Sequence, residues 1–442
     1  MTSQAGGGPS RLVLSQNKRL RLIVMTVFYF AQGLPIGLFL TAIAAWLAYN
    51  GASEGDVAAV IAFTFLPWSF KFFGAALMDR YTYLPMGRRR IWLIGAQGLM
   101  LVGLAIAAVV GPGVQQAALI GWLGFIIFCG SAMQDVAIDG MAVDILPDDE
   151  QGPASAFMFG GQALGIAGGA AGGGLLLASF GTTVTFLAFM PVIGAILVLA
   201  IVMRERPGEK IAPWTKGQSS PVSLAAHGTP WLRILAITLK SMIKRDSVIY
   251  LLSVAGARTV AGAFTAFWPV FATTEAGFDT SGYSSMIAIV GLIGSVACMV
   301  IGSVLNMTLG PKRASMLVFL GYALISLVYL VSPDLAAIGY FFVALSLVWN
   351  MTDTLGSVCT NPLRMRLSDK RVAATQFTIY NSMGNLPVPI GASIFAWASG
   401  AGGLTLLMPI LIALVAFAIL AMAMMRIGKV VDDKESLAPR LE

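Results

Sequence analysis

Twelve long apolar segments dominate this chain, and they decide its fold class before any motif is considered. They fall at about 22–49, 57–78, 91–110, 117–142, 153–178, 183–203, 247–271, 282–305, 314–331, 335–358, 372–397 and 403–426. Each can cross the ~30 Å hydrocarbon core of a bilayer as a helix, which takes about 20 residues at ~1.5 Å each. Only 11% of the 442 residues are charged, and mean hydropathy is +0.82. A water-soluble core could not cover that much apolar surface. The expected fold class is an all-α integral membrane protein with twelve transmembrane helices.

Charge sets the orientation. Of 28 Lys and Arg, 26 fall in the N-tail, in loops 2–3, 4–5, 6–7, 8–9 and 10–11, or in the C-tail. The other two, Lys71 and Arg258, lie within spans, and the opposite loops carry none. By the positive-inside rule both termini are cytoplasmic. The net charge of +7 is thus a topology signal, and no nucleic-acid partner is expected from it. The first apolar run is about 28 residues, too long for the core of a cleaved signal peptide, and reads as a first span.

Few metal-ligating residues are available. The single histidine, His227, sits in a loop, which leaves no intramembrane histidine relay or His-ligated metal. Cys129, Cys298 and Cys359 lie within spans or at their edge and read as small packing residues. No metal and no cofactor is expected.

The hydrophilic stretch 204–246 divides the spans six and six. The organisation expected is an N-tail (1–21), a six-helix bundle (22–203), a linker (204–246), a second bundle (247–426) and a C-tail (427–442). Within the linker, TPWLRILAITLKSMIKR (229–245) places Arg233, Lys240 and Lys244 on one face, as in a helix lying on the membrane surface. The halves also echo each other. ALMDRYTYLPMGRRR (76–90) after span 2 parallels GSVLNMTLGPKR (302–313) after span 8, and Gln134-Asp135 in span 4 parallels Thr352-Asp353 in span 10. A repeated six-plus-six chain points to alternating access, with a site between halves near the midplane.

Asp79-Arg80 followed by Gly87-Arg88-Arg89-Arg90 resembles the loop 2–3 signature of the major facilitator superfamily. FAQGLPIGL (30–38), LPWSFKFFGAALMDRY (66–81), GRRRIWL (87–93), SAMQDVAIDG (131–140), ILPDDEQGPASA (145–156) and ATQF (374–377) resemble the AmpG-like muropeptide permeases. That resemblance implies a proton-driven importer of anhydro-muropeptides in the bacterial inner membrane, working as a monomer on protons and a small molecule. It also implies that Asp79, Arg80, Arg88, Arg89 and Arg90 latch the cytoplasmic side. Asp144 joins those gating charges, and the acidic loop 148–150 lies within reach of the same arginines. The sequence departs from the permease pattern at Arg258 in GARTVAGAF and at Asp353. Siderophore importers and acetyl-CoA transporters share much of the first-half signature, so another amphiphilic cargo is the alternative.

Charge inside a membrane is expensive and faces a cavity or a partner. Asp135, Asp139 and Asp353 are the candidate proton carriers. Asp135 and Asp139 lie about 40° apart around one helix, while Asp144 is turned roughly 180° from Asp135. Arg258 suits an anionic group on the solute or pairing with an unloaded aspartate. Lys71 ranks behind it, since it lies two turns before Asp79 and can snorkel to the surface. A fixed interhelical ion pair is the plainer reading of Asp135, Asp353, Lys71 and Arg258. Gln32, Gln162, Tyr380, Asn381 and Asn385 are span-embedded polar groups suited to hydrogen-bonding a solute, and Trp268 and Trp349 to stacking on a sugar or ring. GGQALGIAGGAAGGG (160–174) in span 5 predicts close helix packing, and Pro35, Pro387 and Pro389 predict kinks. An integral-membrane transferase is the rival from another class. It is opposed by short external loops and the lack of a metal-ligand cluster. An ATP-driven pump is opposed by the lack of a G-x-x-x-x-G-K-[ST] stretch.

Overall fold

A computed structural model describes residues 12–225, 236, 239–240, 242–367 and 373–426. The surface helix expected at 229–245 and the C-tail lie for the most part outside the described residues. Helices account for nearly all of the rest. In order they are α1 (Lys18–Gly37), continued by a π-helical turn (Leu38–Ile43) and Ala44–Tyr49, then α2 (Glu54–Arg80), α3 (Arg90–Val110) and α4 (Ala117–Ile145). A single helical stretch, Asp148–Val202, follows; its arms before and after Gly181 are α5 and α6. The second half holds α7 (Arg245–Thr274), α8 (Thr280–Thr308), α9 (Gly310–Val331), α10 (Gly339–Leu367), α11 in two pieces (Ala373–Asn385 and Pro387–Ala401) and α12 (Leu404–Met424).

Ten helices among the described residues are long and apolar enough to cross a membrane. The longest serves two of the expected spans, because Gly181 turns it back with φ 74°, a conformation that costs a Cβ-bearing residue energy. Span 11 is the remaining one, divided by Pro387, whose missing N–H cannot continue the helix. In α1, Pro35 is followed directly by the π-helical turn, a common way for a helix to absorb a lost backbone bond.

Glycine decides which helices touch. Gly161, Gly165, Gly169 and Gly173 recur every four residues on α5, so they form one ridge. A Cβ at Gly161, Gly165 or Gly169 would run into the backbone carbonyls of Thr26, Phe30 and Leu34 on α1. The second half repeats the device between α7 and α11, where Gly262 and Gly391 lie against the carbonyls of Val388 and Thr259. The halves meet through α2 with α11, α5 with α8, and the end of the first span with α7.

At the basic end, residues just before α1 pair with those just after α6: Leu14 N donates to Arg204 O at 2.9 Å, and Arg204 N to Leu12 O at 2.9 Å. Glu205 then reaches the start of α3. Its carboxylate accepts from the backbone N–H of Arg88 (3.0 Å), Arg89 (2.7 Å) and Arg90 (2.6 Å). A helix N-terminus with free N–H groups is a natural anion site, here filled by the chain's own side chain.

Candidate functional site

Among the described residues, two ion pairs lie within the spans, away from the helix ends, one in each half. In the first half, Lys71 Nζ on α2 meets Asp135 Oδ2 on α4 at 2.5 Å, with side-chain exposures of only 2% and 6%. The ammonium also lies 4.9 Å from the centre of the Trp68 ring, a cation–π contact. Lys71 therefore does not snorkel toward the surface as expected; Asp135 holds it in. One turn further along α4, Tyr29 Oη from α1 donates to Asp139 Oδ1 at 2.5 Å. Asp135 and Asp139 thus have different partners although they share a helix face.

The second-half pair is wetter. Arg258 Nη1 on α7 meets Asp353 Oδ1 on α10 at 2.8 Å, with side-chain exposures of 24% and 37%. Tyr322 Oη on α9 donates to the same oxygen at 2.9 Å. Three helices therefore converge on one carboxylate, and the guanidinium keeps donors to spare for a second anion.

The other candidates divide by burial. Gln32 is fully buried, and neither polar atom of its amide has a hydrogen-bond partner among the described residues. Gln162 and Asn385 are half-buried. Asn381 accepts from Arg364 Nη1 at 2.9 Å. Tyr380 is fully buried and donates to Ser247 Oγ at 2.7 Å, so it ties α11 to α7 instead of facing a solute path. Trp268 is likewise core: its Nε1 donates to Ser346 Oγ at 2.6 Å, and its ring stacks on Trp349 at 5.2 Å and 15°. The stacking expected with a solute is thus taken up by the tryptophans themselves, and only Trp349 retains partial exposure.

At the basic end the arginines have separate duties. Arg88 Nη1 and Arg89 Nε each approach Asp144 at 3.3 Å. Arg90 is fully buried and donates to the carbonyls of Ala200 (3.0 Å), Ile201 (2.9 Å) and Lys210 (2.7 Å), as well as to Ile211 O. Those bonds tie α3 to the end of α6 and the linker. Arg80 is exposed, and the side chain of Asp79 lies outside the described residues. The acidic loop does not meet these arginines through Glu150, which instead pairs with Arg21 at 2.7 Å and lies 3.9 Å from Lys18. Arg21 holds that carboxyl below the usual range.

Tyr29 and Tyr322 are the residues that sequence reasoning missed. Tyrosine is unremarkable in a membrane helix, so only the fold reveals which hydroxyl meets a carboxylate. An apolar cavity of about 410 Å³ lined by Asp56, Phe63, Trp122 and Pro389 lies at the end away from the basic loops, clear of both ion pairs. Among the described residues, no group of three or more His, Cys, Asp or Glu is placed to hold a metal.

Comparison with known proteins follows the same outline. The sequence profile of the Major Facilitator Superfamily matches residues 25–392. The chain is 27% identical to the anhydromuropeptide permease of Escherichia coli (strain K12) over 380 residues, covering 82% of this chain and 71% of that protein. It is 24% identical over 388 residues to a putative transporter, AmpG 4, of Rickettsia conorii, covering 84% and 87%. A POT family transporter solved in complex with 5-aminolevulinic acid superposes with a TM-score of 0.66 at 13% identity, covering 94% of this chain and 98% of that one. The nucleoside transporter NupG (D323A mutant) does so with a TM-score of 0.66 at 10% identity, covering 91% and 98%. Helical architecture, apolar spans and profile agree: this chain belongs to the Major Facilitator Superfamily and is a multi-pass membrane transporter.

Proposed function

We propose that the chain is a proton-coupled, alternating-access importer of an anhydromuropeptide, acting as a monomer in a bacterial inner membrane with both termini in the cytoplasm. The observation that carries this reading is the part-exposed Arg258–Asp353 pair inside the second half, with the buried Tyr322 hydroxyl on the same carboxylate. Arg258 stays charged at any physiological pH. An anionic group of the solute competes with Asp353 for it, and a proton on Asp353 releases the guanidinium while Tyr322 remains hydrogen-bonded to the carboxyl. Solute binding and protonation therefore favour one another. The half-buried amides of Gln162 and Asn385, with Asn381, supply hydrogen bonds to the uncharged parts of the cargo.

Asp135 and Asp139 carry the coupled proton on the first-half side, with Lys71 paired to Asp135. Arg88 and Arg89 on Asp144, with Asp79 and Arg80, latch the cytoplasmic side. A Cβ at Gly174 would meet Ser284 at the end away from the basic loops, which supports a state closed toward the periplasm. The similarity to the Escherichia coli permease supports the cargo, and the basic loops support the orientation.

Uptake of an anhydromuropeptide into proteoliposomes under an imposed pH gradient is the test. Accumulation is expected to collapse in Asp353→Asn and Asp135→Asn, with both proteins folded. In Arg258→Gln the apparent KM should rise ~10- to 100-fold, the loss of one charge-assisted hydrogen bond. No gradient-driven accumulation by the unsubstituted protein would overturn the coupling, and uptake of a siderophore in its place would overturn the cargo.

A further inference from the structure

We infer that the first half encloses its own hydrated proton path, a polar column between α1, α2 and α4 that is separate from the surface handling solute. This rests on the proton coupling proposed above and adds where the protons travel.

The column is visible in the spacing. Thr64, Trp68 and Lys71 lie within about 60° of one another on α2, and Ser131 and Asp135 lie about 40° apart on α4. Gln32 on α1 lies one regular turn and about 40° from Phe28, whose carbonyl accepts from Gln134 Nε2 on α4. A Cβ at Gly124 of α4 would meet both the Thr64 hydroxyl and the Phe39 ring, so the three stripes face one another. The two helices α2 and α4 pack side by side along this length.

Every one of these side chains is buried: Gln32, Thr64 and Ser131 completely, Trp68 and Asp135 nearly so. Yet among the described residues Gln32 Nε2 and Oε1, Thr64 Oγ1, Trp68 Nε1 and Ser131 Oγ have no hydrogen-bond partner. Several helical hydroxyls of this chain turn back to the carbonyl four residues earlier, as Thr26, Thr259, Ser326 and Ser346 do, while Ser69 and Ser284 do not. Thr64 and Ser131 forgo that bond. Buried polar atoms are almost always satisfied, and ordered water is what satisfies those the protein leaves open. A file of such atoms leading to a buried Lys71–Asp135 pair is suited to conduct protons.

The step balances as a transfer. A proton arriving along the waters is taken by the Asp135 carboxylate as its contact with Lys71 Nζ opens. It passes to Asp139 one turn on, which Tyr29 faces, and leaves toward the basic end. The ionisable groups gathered around the path are Tyr29, Lys71, Asp135 and Asp139. In the second half the corresponding pair is half-exposed and takes the solute, so the two duties fall to different halves.

The experiment compares two activities in proteoliposomes with an anhydromuropeptide as probe: uptake driven by a pH gradient, and exchange of labelled for unlabelled solute without one. The variant is Thr64→Val with Ser131→Ala, and the control is Thr64→Ser with Ser131→Thr, which keeps both hydroxyls. Expected is at least a tenfold loss of driven uptake in the variant, exchange within twofold of the unsubstituted protein, and recovery of driven uptake in the control. Driven uptake preserved in the variant overturns the path while leaving the coupling intact. Loss of driven uptake and exchange together also overturns it, since the hydroxyls would then serve solute movement. If the unsubstituted protein exchanges solute but shows no driven uptake, the coupling itself fails, and the path with it.

Discussion

Lys71 and Asp135 each stand at a depth where neither tolerates losing the other. Lys71→Met should cost about 3–5 kcal/mol, because a buried carboxylate is left unpaired, whereas Lys71→Met with Asp135→Leu should recover most of it. Thermal denaturation in detergent separates the two outcomes. Glu209 Oε2 accepts from the N–H groups of Glu205 and Arg206 at 3.0 Å each, while Oε1 has no partner among the described residues. Burial, with the Glu205 carboxylate beside it, pushes Glu209 up from 4.5 to about 7. A carboxyl raised by folding is held protonated in the native state, so its contribution is fully present below its ordinary range and is lost as pH climbs through about 7. Stability should fall by about 2–3 kcal/mol between pH 5 and 8, and Glu209→Gln should flatten that slope. The charged candidates were legible in the sequence because a charge in an apolar run has few innocent explanations. Tyr29, Tyr322 and Glu205 were not, since what distinguishes them is a partner more than a hundred or a few tens of positions away, and only packing brings it near.

At the scale of elements, the glycine ridge of α5 makes the most demanding contact. Gly165→Leu would drive a side chain into the Phe30 carbonyl of α1, and the helices would have to separate. Loss of folded protein, judged by gel filtration in detergent, is the expected result. Gly160, which meets nothing at its Cβ, should accept alanine without effect. The four-residue glycine repeat was readable as a packing surface because spacing alone places those residues on one face. The return at Gly181 falls in the gap between the spans expected at 153–178 and 183–203, although no polar loop marks it. The break in α11 followed from proline chemistry. The π-helical turn after Pro35 did not, because a missing N–H can be absorbed as a kink or as a wider turn.

For the whole molecule, the state seen here joins the two halves near Gly174 and Ser284, whose side-chain positions nearly coincide. A side chain at Gly174 cannot fit against Ser284 in this state. With Cys129, Cys298 and Cys359 replaced and Ser284→Cys introduced, Gly174→Leu should therefore raise labelling of that thiol by a membrane-impermeant maleimide several-fold. Labelling unchanged by Gly174→Leu would show that this contact does not hold the end closed. The six-plus-six layout could be read from charge and hydropathy, whereas which faces of the halves meet depends on small residues dispersed over α2, α5, α8 and α11. One contact at the basic end bears on how such a molecule is made. Leu12 and Leu14 hydrogen-bond to Arg204, and Glu205 fastens the same stretch onto α3, so the beginning and end of the first half are stitched together before the second half is reached. On a ribosome that delivers residues in order, the first six helices acquire their closing bonds as soon as Arg204 and Glu205 emerge. They can stand as a finished template against which the later helices assemble.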